Sequence, residues 1–178
     1  LFPQYEALTE SIRKERYQHM DETSWKVRGE SGFAWSMTGE SGDSVYLIGK
    51  TRGKGIAEYL RGDSTGVLVT DDYGAYRTLA LYHQLCFAHL IRKFRDMAQS
   101  EEFSDAEKLR CTHAYAELKL LFHDLKEVLH TATPLAEKES LNIRFQTLAT
   151  LRPSDHPPLK RIKKTLMKNI GKYLTCLS

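Results

Sequence analysis

No apolar stretch in this sequence approaches the ~18 residues that a membrane-spanning helix needs, and no basic-then-apolar leader stands at its start. Membrane and secretory classes are therefore not expected. The three cysteines, Cys86, Cys111 and Cys176, are odd in number and have no tight spacing, which excludes a disulfide scaffold and fits free thiols in a reducing cytoplasm. Internal repeats and low-complexity segments are missing, so solenoid and linker architectures drop out. An initiator Met is missing too. The chain opens Leu1-Phe2-Pro3, and we read it as a stretch of a longer protein.

With 178 residues, 41% hydrophobic and 28% charged, the chain can bury one sizeable core with a smaller appended unit. Its net charge of +3 conceals an asymmetry: residues 152–178 hold seven Lys/Arg against one acid, and residues 1–151 hold nineteen against twenty-two. A basic C-terminal cluster is a candidate footprint for a polyanion; a solvated helix face is the plainer alternative.

Tyr5, Leu8 and Ile12 at helical spacing behind Pro3 predict a lead-in helix over 3–15. Three runs rich in aromatic and β-branched residues follow, Tyr17–Val27, Phe33–Thr38 and Ser44–Gly49, separated by Gly29–Gly32 and Gly39–Gly42 as turns. They predict a three-stranded antiparallel meander. Ile56 to Leu60 reads as a brief helix closed by Gly62, and Gly66–Thr70 as a buried fourth strand leading into Asp71. A strand after a crossover helix is expected to be parallel to its neighbour. A short helix over Tyr76–Leu81, a fifth strand over Tyr82–Phe87 and a helix from Ala88 complete the order β-β-β-α-β-α-β-α. Beyond residue 98 the strand signals stop. Three apolar stripes at helical spacing follow: Leu118 to Leu129, Leu141 to Leu148, and Leu159 to Leu177. The last is expected to bury Leu159, Ile162, Leu166, Ile170 and Leu174 and to turn its lysines outward.

Asp21 lies in the first strand and Asp71 ends the fourth. Where those strands are parallel neighbours, the two residues can converge at one edge of the sheet. Magnesium takes oxygen ligands, commonly one or two carboxylates plus substrate phosphate, so such a pair is the minimum a protein must supply. Aspartate also ends many strands simply because it favours turns. The strand order with acids on strands one and four is the layout of the ribonuclease H-like fold, which by itself argues no function.

Several blocks, in order, resemble the DDE transposases of the insertion sequence 66 family. His19-Met20-Asp21-Glu22-Thr23-Ser24-Trp25-Lys26-Val27 is similar to the first-aspartate segment. Phe33-Ala34-Trp35 resembles the second strand, and Thr51-Arg52-Gly53 the arginine turn. Val69-Thr70-Asp71-Asp72-Tyr73-Gly74-Ala75-Tyr76 resembles the second-aspartate segment, and Cys86-Phe87-Ala88-His89-Leu90-Ile91-Arg92-Lys93-Phe94 the Cys-x-x-His helix entry. The resemblance covers residues 5–100 well and the helical remainder loosely. It implies an α/β ribonuclease H-like mixed five-stranded sheet with flanking helices and an α-helical extension. The implied domains are 1–98, the first part of the core, and 99–178, a helical insertion.

The resemblance further implies Asp21 and Asp71 as catalytic, metal-binding acids for two Mg2+ or Mn2+ ions. It implies double-stranded DNA as substrate, transposon ends and target alike, assembly as a homo-oligomer on that DNA, and a bacterial, nucleoid-associated setting. The family's third acid, a glutamate, has no counterpart here and is expected beyond Ser178, so this chain alone is expected to be inactive. Asp72 stands where the family often has glycine, and Glu22, adjacent to Asp21, is expected on the other face of the sheet.

Arg92, Lys93 and Arg95, with Lys160, Lys163, Lys164 and Lys168, are the candidate phosphate contacts, since Lys and Arg supply the sequence-independent part of DNA affinity. Cys86 and His89 are half a zinc set that Cys111 and His113 could complete, or structural support at a strand-to-helix corner, the reading favoured here. Trp25, Trp35, Tyr73 and Tyr76 could stack on bases but read as core. Two rivals remain: another ribonuclease H-like nuclease, and a non-catalytic DNA-binding or assembly module.

Overall fold

A computed structural model describes residues 2–131 and 134–177. The chain divides into two units, Leu1–Leu85 and Cys86–Ser178. In the first, α1 (Phe2–Arg13) leads into β1 (Tyr17–Val27), β2 (Glu30–Gly39) and β3 (Ser44–Gly49), followed by α2 (Lys54–Arg61), β4 (Val67–Thr70) and β5 (His83–Leu85). The sheet order is β3-β2-β1-β4-β5. β1, β2 and β3 are antiparallel, whereas β4 runs parallel to β1 and β5 parallel to β4. This is the ribonuclease H-like arrangement.

Side chains alternate across β1, so Met20 joins Trp35, Met37, Val45 and Leu68 on one face, against Ile12 of α1 and Ala57 and Leu60 of α2. His19 and Asp21 fall on the opposite face and are exposed. Buried polar groups fasten the start of β1. Gln18 donates to Ile12 O (3.1 Å), and its side-chain oxygen accepts from Ser64 Oγ (3.0 Å) and from the buried Arg61, which also holds Gly66 O. Each supplies a partner that a buried polar group requires.

Three expectations need correction. The first turn is Arg28-Gly29 alone, both residues having positive φ (53° and 85°), the left-handed geometry whose twist suits a two-residue hairpin. Glu30, Ser31 and Gly32 belong to β2; Gly32 is a strand glycine because a Cβ there would meet Gly49 O at 3.0 Å. In place of a helix over Tyr76–Leu81 there is one 3₁₀ turn, Gly74–Tyr76, because the Tyr76 ring is drawn wholly into the core. The fifth strand is also shorter than expected, since Phe87 already opens the next helix.

The second unit consists of α3 (Phe87–Ala98), α4 (Asp105–Leu129), α5 (Pro134–Ala149), α6 (Pro157–Tyr173) and a closing 3₁₀ turn, Thr175–Leu177. Ser104 and Glu107 form a capping box at the head of α4. Phe87 is the hub of an aromatic core, with ring centroids 5.2 Å from Phe122, 5.6 Å from Phe145 and 5.4 Å from Tyr173. No helix among the described residues is long and apolar enough to cross a membrane.

Gly66 lies where β4 comes alongside β1. A Cβ there would sit 2.5 Å from Glu15 O and 2.8 Å from Arg16 O, whereas one at Gly74 would meet nothing within 4 Å. Gly66→Ala is expected to destabilise the protein by about 1–3 kcal/mol through overpacking against backbone, and Gly74→Ala by much less. Urea midpoints measure both; equal midpoints would show that the approach at Gly66 is not tight.

Candidate active site

Hydrogen-bonded pairing between β1 and β4 runs Tyr17 to Val67, Gln18 to Leu68 and His19 to Val69. Continuing that register two residues brings Asp21 level with Asp71, immediately past the end of β4. Period-two alternation sets Asp21 on the His19 face of β1, and the same alternation carried past the end of β4 would set Asp71 there too. Each carboxylate is oriented by local backbone: Asp21 Oδ1 accepts Glu22 N (2.9 Å), and Asp71 Oδ1 accepts Tyr73 N (2.8 Å) in an Asx-type turn. The Tyr76 hydroxyl lies within electrostatic reach of both aspartates. Burial first, then its hydrogen bond to Glu22 and these neighbouring carboxylates, push its pKa far above the ordinary tyrosine value.

Glu22 is on the opposite face, as expected from its adjacency to Asp21, but it is no bystander. Its side chain is only 1% exposed and is shared between two partners, Arg52 on Oε1 (Nε 2.5 Å, with Nη2 on the same oxygen) and the Tyr76 hydroxyl on Oε2. The Arg52 guanidinium lies 3.9 Å from the Tyr73 ring centroid, and Tyr73 OH donates to Arg52 O (2.7 Å). Three chain segments, β1, the β3–α2 turn and the loop after β4, are thus tied together beside the aspartates. Trp35 and Tyr76 meet edge to face in the core (6.1 Å, 72°), whereas Trp25 is 54% exposed.

The carboxylate oxygens that Asp21 and Asp71 offer are of the kind a hard divalent cation takes. Among the described residues no group of three or more His, Cys, Asp or Glu side chains gathers as a metal-binding set. Cys111 is buried and His113 exposed on the same helix, so that pair does not converge. Cys86 stands at the N-cap of α3, with His89 within its first turn.

The family model described as Transposase IS66 family matches residues 1–173. The chain belongs to the IS66 transposase family. Among curated proteins no match is found. Among solved structures, one chain of the simian T-cell lymphotropic virus intasome in complex with PP2A regulatory subunit B56 gamma is similar. It is 12% identical with a TM-score of 0.34, and the match covers 82% of this chain and 52% of that one. The present chain thus spans about half the length of that neighbour.

The candidate phosphate contacts in this IS66 chain separate by exposure. Arg92, Lys93 and Arg95 are exposed on α3, Arg95 paired with Asp96. Lys164 and Lys168 are exposed on α6, and Lys160 is half-buried and donates to Pro153 O (3.1 Å). Lys163 departs from the expected outward orientation. It is 7% exposed, and its Nζ is held by Asp155 Oδ2 (3.0 Å) and Thr150 O (3.0 Å). It occupies the apolar stripe itself, four residues after Leu159 and three before Leu166, while Ile162 is only half-buried.

Burial alone would raise the Asp155 carboxyl, but the Arg152 N–H and the Lys163 ammonium bring it below the ordinary aspartate value. Its stabilising contribution is therefore complete above the unfolded pKa, ~3.9, and is lost as pH falls through the lower folded value. Lys163→Ala should cost about 3 kcal/mol, because it strands a buried carboxylate. It should leave the salt dependence of duplex binding unchanged. Denaturant unfolding at neutral pH and at pH 3, with binding titrations across salt, checks both; a stable variant with a flattened salt slope would return Lys163 to the DNA-contacting set.

Proposed function

We propose that this chain is the catalytic-core part of a DDE transposase, in which Asp21 and Asp71 hold divalent metal, Mg2+ or Mn2+, for cutting transposon ends and joining them to target DNA. The observation that supports this most is the β1–β4 register, whose continuation by two residues would set the two aspartates level. Held by Asp21 and Asp71, such ions would supply activation of an attacking oxygen and charge stabilisation of the leaving one for an in-line displacement at phosphorus. The chain's own groups orient the acids: the backbone N–H of Glu22 fixes Asp21, the N–H of Tyr73 fixes Asp71, and the Glu22–Arg52–Tyr76 network holds their segments together.

Residues 1–98 supply the first part of the core in this reading, and 99–178 a helical insertion before a third acid. Cys86 and His89 support the corner into α3. Double-stranded DNA is the partner, held by Arg92, Lys93, Arg95, Lys164 and Lys168, in a homo-oligomer assembled on the DNA within a bacterial nucleoid.

The test is cleavage and strand transfer by the full-length protein on a duplex carrying the transposon end, with magnesium or manganese. Asp21→Asn and Asp71→Asn should each lower both reactions by at least about 100-fold, the scale for losing a group that stabilises transition-state charge. Cleavage without joining would make the protein a nuclease, and activity surviving either substitution would remove the aspartates from the site. The present chain alone should cut no more than an Asp21→Ala, Asp71→Ala double variant.

A further inference from the structure

Arg52, which is exposed, differs in kind from the buried Arg61 of the same unit. Arg61 is 2% exposed, and its two terminal nitrogens are bonded to Gln18 and Gly66 O, as befits a structural cation. Arg52 is fixed along one edge only: Nε and Nη2 share a single oxygen of Glu22, and among the described residues Nη1 makes no hydrogen bond. Its side chain is 43% exposed although its anchor, Glu22, is 1% exposed. Stacking on Tyr73 sets the plane of the guanidinium, and the hydroxyl of that tyrosine holds Arg52's own carbonyl. Asp71 is among the charges that it feels.

From this geometry we infer that Arg52 binds a non-bridging oxygen of a DNA backbone phosphate beside the Asp21–Asp71 pair. The inference rests on the transposase reading above. A guanidinium offers planar N–H donors suited to phosphate, and here Glu22 and Tyr73 have already restricted its rotamers, so little further ordering is needed on binding. This explains the buried Glu22, which the two-aspartate chemistry does not use, as a positioning residue that acts through Arg52 and Tyr76. A lysine could not replace Arg52 here, since its ammonium has neither the fork to meet Glu22 and phosphate together nor the plane to lie on Tyr73.

Replacing Arg52 alone would strand the Glu22 carboxylate, so the informative comparison is Glu22→Gln against the double variant Glu22→Gln, Arg52→Gln, which leaves no uncompensated buried charge. Affinity of this chain for a short mixed-sequence DNA duplex is measured across salt, with calcium in place of magnesium to hold the duplex uncut. Loss of one phosphate contact should lower the slope of log affinity against log salt by about one unit between the two variants, whatever the duplex sequence. Arg52→Lys keeps the charge but not the fork, so it should lower the slope by about one unit as well, and it serves as a second probe if the double variant does not fold. Equal slopes and affinities for Glu22→Gln and the double variant would overturn the inference and leave Arg52 a structural residue. A slope left unchanged in Arg52→Lys would overturn it as well. Should the unaltered chain bind no duplex at any salt, the transposase reading fails together with the role of Arg52; failure of Arg52 alone leaves that reading standing.

Discussion

The parallel ladder between β1 and β4 is the constraint on which the candidate site depends. Only three residue pairs form it, Tyr17–Val67 to His19–Val69, and β4 is only four residues long. A one-residue slip would reverse the face of every β4 side chain and separate Asp71 from Asp21. What prevents the slip is concentrated at the entrance to the pair. Gly66 lets β4 approach the backbone carbonyls of Glu15 and Arg16, Val67 N donates to Arg16 O (2.8 Å), and the Arg61 guanidinium donates to the Gln18 side-chain oxygen across the junction. The residues that set the register are thus near the start of β1, while Asp21 lies further along that strand and Asp71 just past the end of β4.

Past the end of β4 no ladder remains to hold Asp71, and the loop is fastened by side chains instead. Glu22 reaches Tyr76 and Arg52, Arg52 covers Tyr73, and the backbone of Tyr73 orients Asp71. A buried carboxylate is costly unless its lone pairs are satisfied, and Glu22 is satisfied by groups from two other segments, so the network forms only when all three segments are in place.

Much of this was legible in the sequence, because period-two alternation and turn chemistry are local. Tyr17–Val27 and Ser44–Gly49 are strands over the expected residues, and the parallel fourth strand follows from the crossover. Gly32 misled because a glycine required for close backbone approach reads the same as one required for a turn. Adjacency placed Glu22 on the far face, but its burial depends on Arg52, thirty residues on, and local pattern does not carry such a pairing. Lys163 carried a signal that was passed over: a lysine at an apolar stripe position needs a partner, and Asp155 is the sole acid in residues 152–178. The family blocks singled out Asp21 and Asp71 as candidates, which residue type alone left indistinguishable from ordinary strand-ending aspartates.

If Asp21 and Asp71 share a divalent ion, crystals of this chain soaked in manganese will show it most directly, through the anomalous scattering of the metal. A peak is predicted between the two carboxylates, with an oxygen of each about 2.0–2.2 Å away, the range for hard octahedral cations, and that peak should be lost in Asp71→Asn. Manganese bound elsewhere, or carboxylates directed to opposite faces of the sheet, would contradict a shared ion.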